Sequence, residues 1–267
     1  MLKTIPRREF KMMKLMLKNY HEYLTENTDS MISRVFGLHK VIFYRKRGKM
    51  SQKIYFCVMN NVFQTTKKID LRYDLKGSTF GRQTVNKSGI HTDRTVALKD
   101  LDFINKKEIF KVGHENKEKM LAILRKDAEF FAQNNIIDYS LLVGIHNRSE
   151  HPSTFMSRRE SFGDDNMGTP VGDDPSPLNT LNAFDMQSTS NLEEQFCFYQ
   201  TYDGGLLSSD KQHIYFFGVI DIFTGYSVGK KFEHFSKSIY QNGQTISCVP
   251  PQRYAQRFCQ FLTNAFR

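Results

Sequence analysis

Two aspartates in this chain stand where aliphatic residues would be expected. IIDYSLLVGIH at 136–146 sets Asp138 inside a branched and leucyl run, and FFGVIDIF at 216–223 repeats the arrangement with Asp221. A carboxylate in dry surroundings is costly unless a cation, a metal or hydrogen bonds compensate it. One such residue reads as a turn or cap. Two of them suit a division of labour, one holding a divalent cation against phosphate oxygens and the other accepting a proton from a substrate hydroxyl.

Three further groups have compatible chemistry. Glu9 edges the apolar face of the first helix, where a carboxylate wants a cation, and Lys3 on the preceding extended segment is the nearest candidate. Taken alone, Glu9 is equally an ordinary first-turn acid favoured by the helix dipole. RYDLKGSTFGRQT at 72–84 surrounds Ser78 and Thr79 with Gly77 and Gly81, flanked by Lys76 and Arg82. Glycines there would let backbone amides approach a phosphate, although the GxxxxGK[ST] order is missing. YSVGKKFEHFSKSIY at 226–240 places Lys230, Lys231 and Lys237 beside Phe232, Phe235 and Ile239. It reads either as a plain amphipathic surface helix or as a segment resting on an anionic bilayer.

The elements that must position these residues follow from periodicity. MLKT is extended, Pro6 suits the first helical position, and Phe10, Met13, Leu17, Tyr20 and Leu24 share one helical face. HKVIFYR and QKIYFCVM read as a hairpin, IDLRYDL as a strand, and Glu115–Gln133 as a second amphipathic helix with Met120, Leu124, Ala128 and Phe131 inward. QFCFYQTY and HIYFFGVIDIF are further strands. The pattern predicts an α+β fold, mostly antiparallel, with a small sheet-plus-helix unit ahead of a larger one.

Composition bounds the partners. The 267 residues are 39% hydrophobic, with 23 Phe, 12 Tyr and no Trp, enough for a substantial core. Four dispersed cysteines argue against structural zinc and for a reduced compartment. No apolar stretch is long enough to span a membrane and no signal peptide opens the chain, so a soluble protein is expected. The net charge is +10, but residues 149–195 form a Pro-, Ser- and Asp-rich acidic segment expected to be disordered. Between Glu150 and Gln195 nine acids face two arginines, which leaves about +17 on the remainder. So basic a body expects a polyanion: nucleic acid, an anionic membrane or a phosphorylated small molecule. No nucleic-acid-binding motif is present, which argues against the first. HRDxxxxN, DFG and APE are also absent, which excludes an ordinary protein kinase.

In order along the chain, DLKGSTF, IIDYSLLVGIH, GVIDIF and KKFEH resemble the phosphatidylinositol phosphate kinases. The resemblance runs from MLKT to the closing RYAQRFCQFL and implies one catalytic domain over 1–267 with a two-lobed lipid-kinase fold. Residues 1–62 would be a partial small lobe and hinge, and 63–267 the large lobe. The resemblance implies ATP and Mg²⁺ as cofactors. It makes Lys3 the lysine that contacts ATP phosphates and Glu9 its helix partner. The hinge backbone at Met59, Asn60, Asn61 and Val62 would meet adenine, and Lys76 a phosphate. Asp138 would orient and deprotonate the inositol hydroxyl, and Asp221 would bind magnesium. Both carboxylates are then expected to be compensated by metal and substrate, not by protein contacts.

Within this family the dibasic pair is followed closely by Glu in phosphatidylinositol 4-phosphate 5-kinases and by Ala in 5-phosphate 4-kinases. Lys230, Lys231 and Glu233 therefore imply the first substrate, with Phe232 where Leu is more usual. Phosphatidylinositol 3-phosphate 5-kinases also carry Glu there and form an alternative. The implied site of action is the cytoplasmic face of the plasma membrane, peripherally bound, with dimerisation possible. MLKT opens the sequence without the glycine-rich strand-turn-strand that the resemblance would place before it, so the small lobe is expected to be truncated. A kinase body without activity that docks on anionic lipid is the remaining alternative.

Overall fold

A computed structural model describes residues 1–44, 50–84, 96–151, 205–226 and 249–267. The chain divides into two compact units, Met1–Asn147 with Cys197–Arg267, and Arg148–Phe196. Every strand and helix below lies in the first.

The first sheet is built before residue 60. Strand β1 (Leu2–Thr4) leads into helix α1 (Arg7–Glu26), followed by β2 (Val35–Tyr44) and β3 (Met50–Met59). The strand order is β1-β3-β2, antiparallel throughout, with Lys3 and Leu38 both opposite Cys57 on the central strand. Helix α1 lies against this sheet, Phe10 meeting Tyr55 with ring centroids 4.8 Å apart. Its buried row is Met13, Met16 and Tyr20. The sequence pattern had Leu17 on that face, but it is 46% exposed. The fully buried positions form a stripe at i, i+3 and i+7, with Met16 in its middle place, while Phe10, Met12, Tyr23 and Leu24 pack beside it.

The second sheet comprises β4 (Leu71–Leu75), β5 (Ser140–Asn147), β6 (Leu206–Leu207) and β7 (His213–Ile220), antiparallel in the order β4-β5-β7-β6. Helices α2 (Asp100–Asn105), α3 (His114–Gln133) and α4 (Pro251–Ala265) complete the described elements. Met120, Leu124, Ala128 and Phe131 of α3 are all buried, as the spacing predicts. Helix α4 buries Tyr254, Phe258 and Leu262, one per turn, with Tyr254 and Phe258 against Tyr139 just ahead of β5. There the Tyr139 ring is 4.5 Å from Phe131, 4.7 Å from Tyr254 and 5.1 Å from Phe258.

Among the described residues the sheets are joined at several places. Residues 31–33 run beside the end of β7, with Val219 donating to the Met31 carbonyl at 2.7 Å and Ser33 to the Val219 carbonyl at 3.0 Å. Two glycines on neighbouring strands receive the segment after β3. A Cβ at Gly218 would lie 2.6 Å from Val62, and one at Gly144 would lie 2.6 Å from the Phe63 ring. The absence of side chains at these two positions lets Val62 and Phe63 lie on the sheet. Among the described residues, no helix is long and apolar enough to cross a membrane. The QFCFYQTY run, most of the acidic segment and all but the first residue of 226–240 lie outside the described residues.

Candidate functional site

Antiparallel registry gathers the singled-out residues at one end of the second sheet. Leu75 at the end of β4 pairs with Leu141 near the start of β5, and Ser140 pairs with Ile220 at the end of β7. Lys76, Asp138 and Asp221 therefore leave the sheet on the same side. The loops carrying the two aspartates are tied together, because Ile137 donates to the Thr224 carbonyl at 2.9 Å and Tyr226 to the Asn135 carbonyl at 2.7 Å.

Both aspartates are left-handed, Asp138 at φ 66° and Asp221 at φ 60°. Few residues other than glycine adopt that conformation, and it persists where the surroundings enforce it. Each turn re-aims the chain as a core strand begins or ends, which brings a carboxylate to the rim of an apolar run. Both side chains are accordingly part-exposed, not buried.

Asp221 has a protein partner. The Lys3 ammonium donates to its Oδ1 at 2.7 Å, with the two side chains 39% and 37% exposed. This differs from the expectation that metal and substrate alone compensate it, and from the pairing of Lys3 with Glu9. Glu9 is nevertheless close to both. Burial holds its carboxyl above the ordinary value, Lys3 and Arg8 oppose the rise, and the Asp221 charge adds to it. The three groups form one acid–base–acid cluster. Beside it a cleft of about 310 Å³ opens between Arg8, Glu9 and Met12 on α1 and Phe223–Tyr226 after Asp221. A Cβ at Gly225 would stand 2.8 Å from the Met12 sulfur, so a side chain there would have to displace the Met12 thioether.

Lys76 reaches the other aspartate through its backbone. Its Nζ donates to the Asp138 carbonyl at 2.6 Å. The next carbonyl, that of Tyr139, accepts the fully buried Tyr254 hydroxyl. Two side chains thus hold two successive carbonyls of the left-handed turn.

The glycine-containing loop differs from its sequence reading. Its amides at Lys76, Gly77 and Ser78 do not face outward as a phosphate cradle. All three donate to Asp100 Oδ1, at 3.0, 2.7 and 3.2 Å. A carboxylate from within the chain fills the concavity that a phosphate would otherwise need. Arg82 closes the loop, donating to Asp100 Oδ2 at 2.8 Å and to Asp74 Oδ1 at 2.9 Å. Gly77 is at φ 69°, and a Cβ there would meet the Arg257 carbonyl at 2.9 Å. Asp100 was missed in the sequence although VALKDLDF carries the same signal as the other two, an acid among aliphatics. Tyr254 and α4 were missed as well, though Tyr254, Phe258 and Leu262 stand at i, i+4 and i+8.

The residues expected to form the hinge sit where β3 ends. Met59 exchanges both its backbone groups with Met1, at 2.7 and 2.9 Å, and the Asn60 N–H is taken by the Arg34 carbonyl at 3.0 Å. Asn61 lies exposed, and Val62 rests on Gly218. Lys230, Lys231, Phe232 and Glu233 fall outside the described residues.

Comparison with known proteins bears on this geometry. A family model described as Phosphatidylinositol-4-phosphate 5-Kinase matches residues 1–265. The chain is 38% identical over 265 residues to a Plasmodium falciparum protein named phosphatidylinositol 4-phosphate 5-kinase, covering 98% of this chain and 14% of that one. An Arabidopsis thaliana protein named phosphatidylinositol 4-phosphate 5-kinase 3 is 32% identical over 271 residues, 100% of this chain and 37% of its own length. The human phosphatidylinositol 5-phosphate 4-kinase type-2 alpha is 33% identical over 270 residues, 98% of this chain and 64% of that protein. The chain thus spans between about a seventh and just under two thirds of the length of these relatives. With the match running over nearly its whole length, the chain belongs to the phosphatidylinositol phosphate kinase family.

Proposed function

We propose that this chain carries the catalytic body of an ATP- and Mg²⁺-dependent lipid kinase acting on the inositol 5-hydroxyl of phosphatidylinositol 4-phosphate. The observation that supports it most is the Lys3–Asp221 contact at the same end of the sheet as Asp138. Phosphoryl transfer needs a cation for nucleotide phosphates, an oxygen ligand for magnesium and a base for the attacking hydroxyl. Lys3, Asp221 and Asp138 supply these. Asp221 fits magnesium because its carboxylate is part-exposed and has a lysine beside it to meet the phosphates that complete the ion's coordination. Bound Mg·ATP supplies the transferable γ-phosphoryl group.

In this reading Asp138 accepts the proton of the 5-hydroxyl as its oxygen bonds to the γ-phosphorus. The bond from that phosphorus to the β–γ bridging oxygen breaks, and ADP leaves. Lys76 holds the turn that aims Asp138, and its remaining two N–H groups are available to phosphate. Since Met59 and Asn60 spend their backbone donors on Met1 and Arg34, adenine recognition falls to Asn61 and Val62. Glu233 after the Lys230–Lys231 pair favours the 4-phosphate substrate, and those lysines would rest on anionic headgroups at the cytoplasmic face of the plasma membrane.

Transfer of radiolabelled phosphate from ATP to vesicles containing one phosphatidylinositol monophosphate tests the reading. The 4-phosphate should be labelled well above the 3- and 5-phosphates, and Asp138→Asn should abolish labelling. Wild type no better than Asp138→Asn on all three would overturn it. Sedimentation with the same vesicles that Lys230→Ala with Lys231→Ala prevents would then identify a lipid-docking body.

A further inference from the structure

We propose that Asp100 is the positioning residue of this site, folding the 76–78 loop so that Lys76 holds the Asp138 turn. The proposal rests on the reading of Asp138 as the base, and gives it a mechanical support that neither sequence motif contains.

Asp100 is 0% exposed, so its charge is fully removed from water and must be met within the protein. It is met by four donors on its two oxygens. Oδ1 takes the amides of Lys76, Gly77 and Ser78, and Oδ2 takes the Arg82 Nε, with all four distances between 2.7 and 3.2 Å. Three consecutive amides converge on one oxygen only if the chain bends sharply, and left-handed Gly77 makes that bend. The bend fixes where the Lys76 side chain starts. From there its Nζ reaches the Asp138 carbonyl at 2.6 Å.

Each link is needed for a reason that can be stated. The left-handed Asp138 is a disfavoured conformation for a residue with a Cβ, so it needs outside support. Lys76 and Tyr254 supply that support on adjacent carbonyls. A lysine tethered to a wandering loop would give little, because its own rotamer freedom would have to be lost each time. The carboxylate of Asp100 removes that freedom at the root of the side chain. Asp100 also acts electrostatically on Arg257, as does Asp138, so the guanidinium stacked over Tyr254 at 5.0 Å stands within reach of both charges. The knot and the turn are thereby packed against one helix.

A local role confined to starting α2 does not account for this. That helix has six residues, and the acid's contacts run backward over some two dozen positions to a loop that α2 does not contain.

The test compares Asp100→Asn, Lys76→Met and the double variant in the full chain. Asparagine keeps the shape and one acceptor but turns an amide N–H toward Arg82. Asp100→Asn should lower kcat ten- to hundredfold with a smaller change in the ATP KM, since Lys3, Asn61 and Val62 keep their places. The double variant should be no slower than Lys76→Met, because both act through one link. Multiplying losses would overturn the proposal, as would an Asp100→Asn kcat equal to wild type.

Amide hydrogen exchange gives a readout independent of turnover. Asp100→Asn should speed exchange at both 76–78 and 137–140, whereas Lys76→Met should speed only the second. Exchange at 137–140 unmoved by Asp100→Asn would also sink the proposal. Should wild type lack kinase activity while this exchange pattern holds, the catalytic reading fails and the mechanical link stands. If Asp100→Asn does not fold, Arg82→Lys, which keeps the charge but loses the fork, should show the same exchange pattern with a three- to tenfold loss of kcat. Unchanged exchange in that variant overturns the proposal.

Discussion

Lys3 and Asp221 lie 218 positions apart in the chain and 2.7 Å apart in the fold. The contact spans from the first sheet to the end of β7, so whatever moves one sheet against the other also moves this pair. At 39% and 37% exposure the two charges are well hydrated, and pairs of that kind contribute little to stability. On the proposed reading the pair serves as two ligands more than as a brace.

Removing either partner should therefore separate activity from stability. Lys3→Met is expected to leave denaturant unfolding within about 1 kcal/mol of wild type. The same variant should lose on the order of 10²–10³ in kcat/KM for ATP, the scale on which a transition-state charge contact operates. Asp221→Asn should behave alike in the unfolding experiment and lose more in transfer. Equal losses of stability and activity would mean that the pair is structural.

A second buried acid makes a pH prediction. Asp127 on α3 is 1% exposed and accepts from Ser30 Oγ at 2.6 Å, Tyr23 Oη at 2.8 Å and the Met31 amide at 2.9 Å. It binds α1 and the 30–31 segment to α3. Burial raises its pKa to about 6, against the lowering effect of those hydrogen bonds and of Arg34. A carboxyl raised on folding makes the folded state bind its proton more tightly. Its contribution to stability is then full below pH ~4 and lost as pH rises toward 6. The loss is on the order of 3 kcal/mol for a shift of about two units. Urea unfolding at intervals from pH 4 to 7 should show that decline in wild type, and Asp127→Asn should flatten it.

How far this architecture could be read from sequence depended on whether the deciding forces were local. Helix α3 announced itself because its inward residues repeat at the helical period and nothing competes for them. On α1 the same period selected Leu17, yet which side of an apolar stripe meets protein is decided by the sheet it packs on, and Met16 was chosen. The two site aspartates were legible as chemical anomalies, and their shared edge follows from antiparallel pairing. Their partners were not. The contact of Lys3 with Asp221 is set by how one sheet docks on the other, which no spacing encodes. The 76–78 loop had the glycine and the cations of a phosphate site, but the acid that fills it comes from a helix some two dozen residues later. Family resemblance carried the roles assigned to the hinge residues, whose backbone use by Met1 and Arg34 is a matter of strand pairing alone.

The segment after β3, the proposed hinge, offers a steric prediction. A methyl group at position 218 would stand 2.6 Å from Val62, so Gly218→Ala must push the 60–63 segment off the sheet. The expected cost is about 1–3 kcal/mol, as for other overpacked sites, accompanied by a higher ATP KM. Adding Val62→Ala makes room for the new methyl and should restore both the melting temperature and the KM toward wild type. A double variant worse than Gly218→Ala in both measurements would show that Val62 does not set the position of the 60–63 segment.

Tyr254 makes the last prediction, and it connects α4 to the chemistry. Its hydroxyl is fully buried and donates to the Tyr139 carbonyl, one residue beyond the left-handed Asp138. Tyr254→Phe keeps the ring that packs on Tyr139 and lies under the Arg257 guanidinium. It removes the hydroxyl oxygen, and with it the hydrogen bond, and nothing else of consequence. The carbonyl left behind is buried, so the cost is the desolvation penalty of an unmet acceptor, about 1–3 kcal/mol, which denaturant unfolding would report. Because the same bond restrains the Asp138 turn, kcat should fall several-fold while the ATP KM stays put. A loss confined to stability would place Tyr254 in the core alone and leave Lys76 as the turn's principal support.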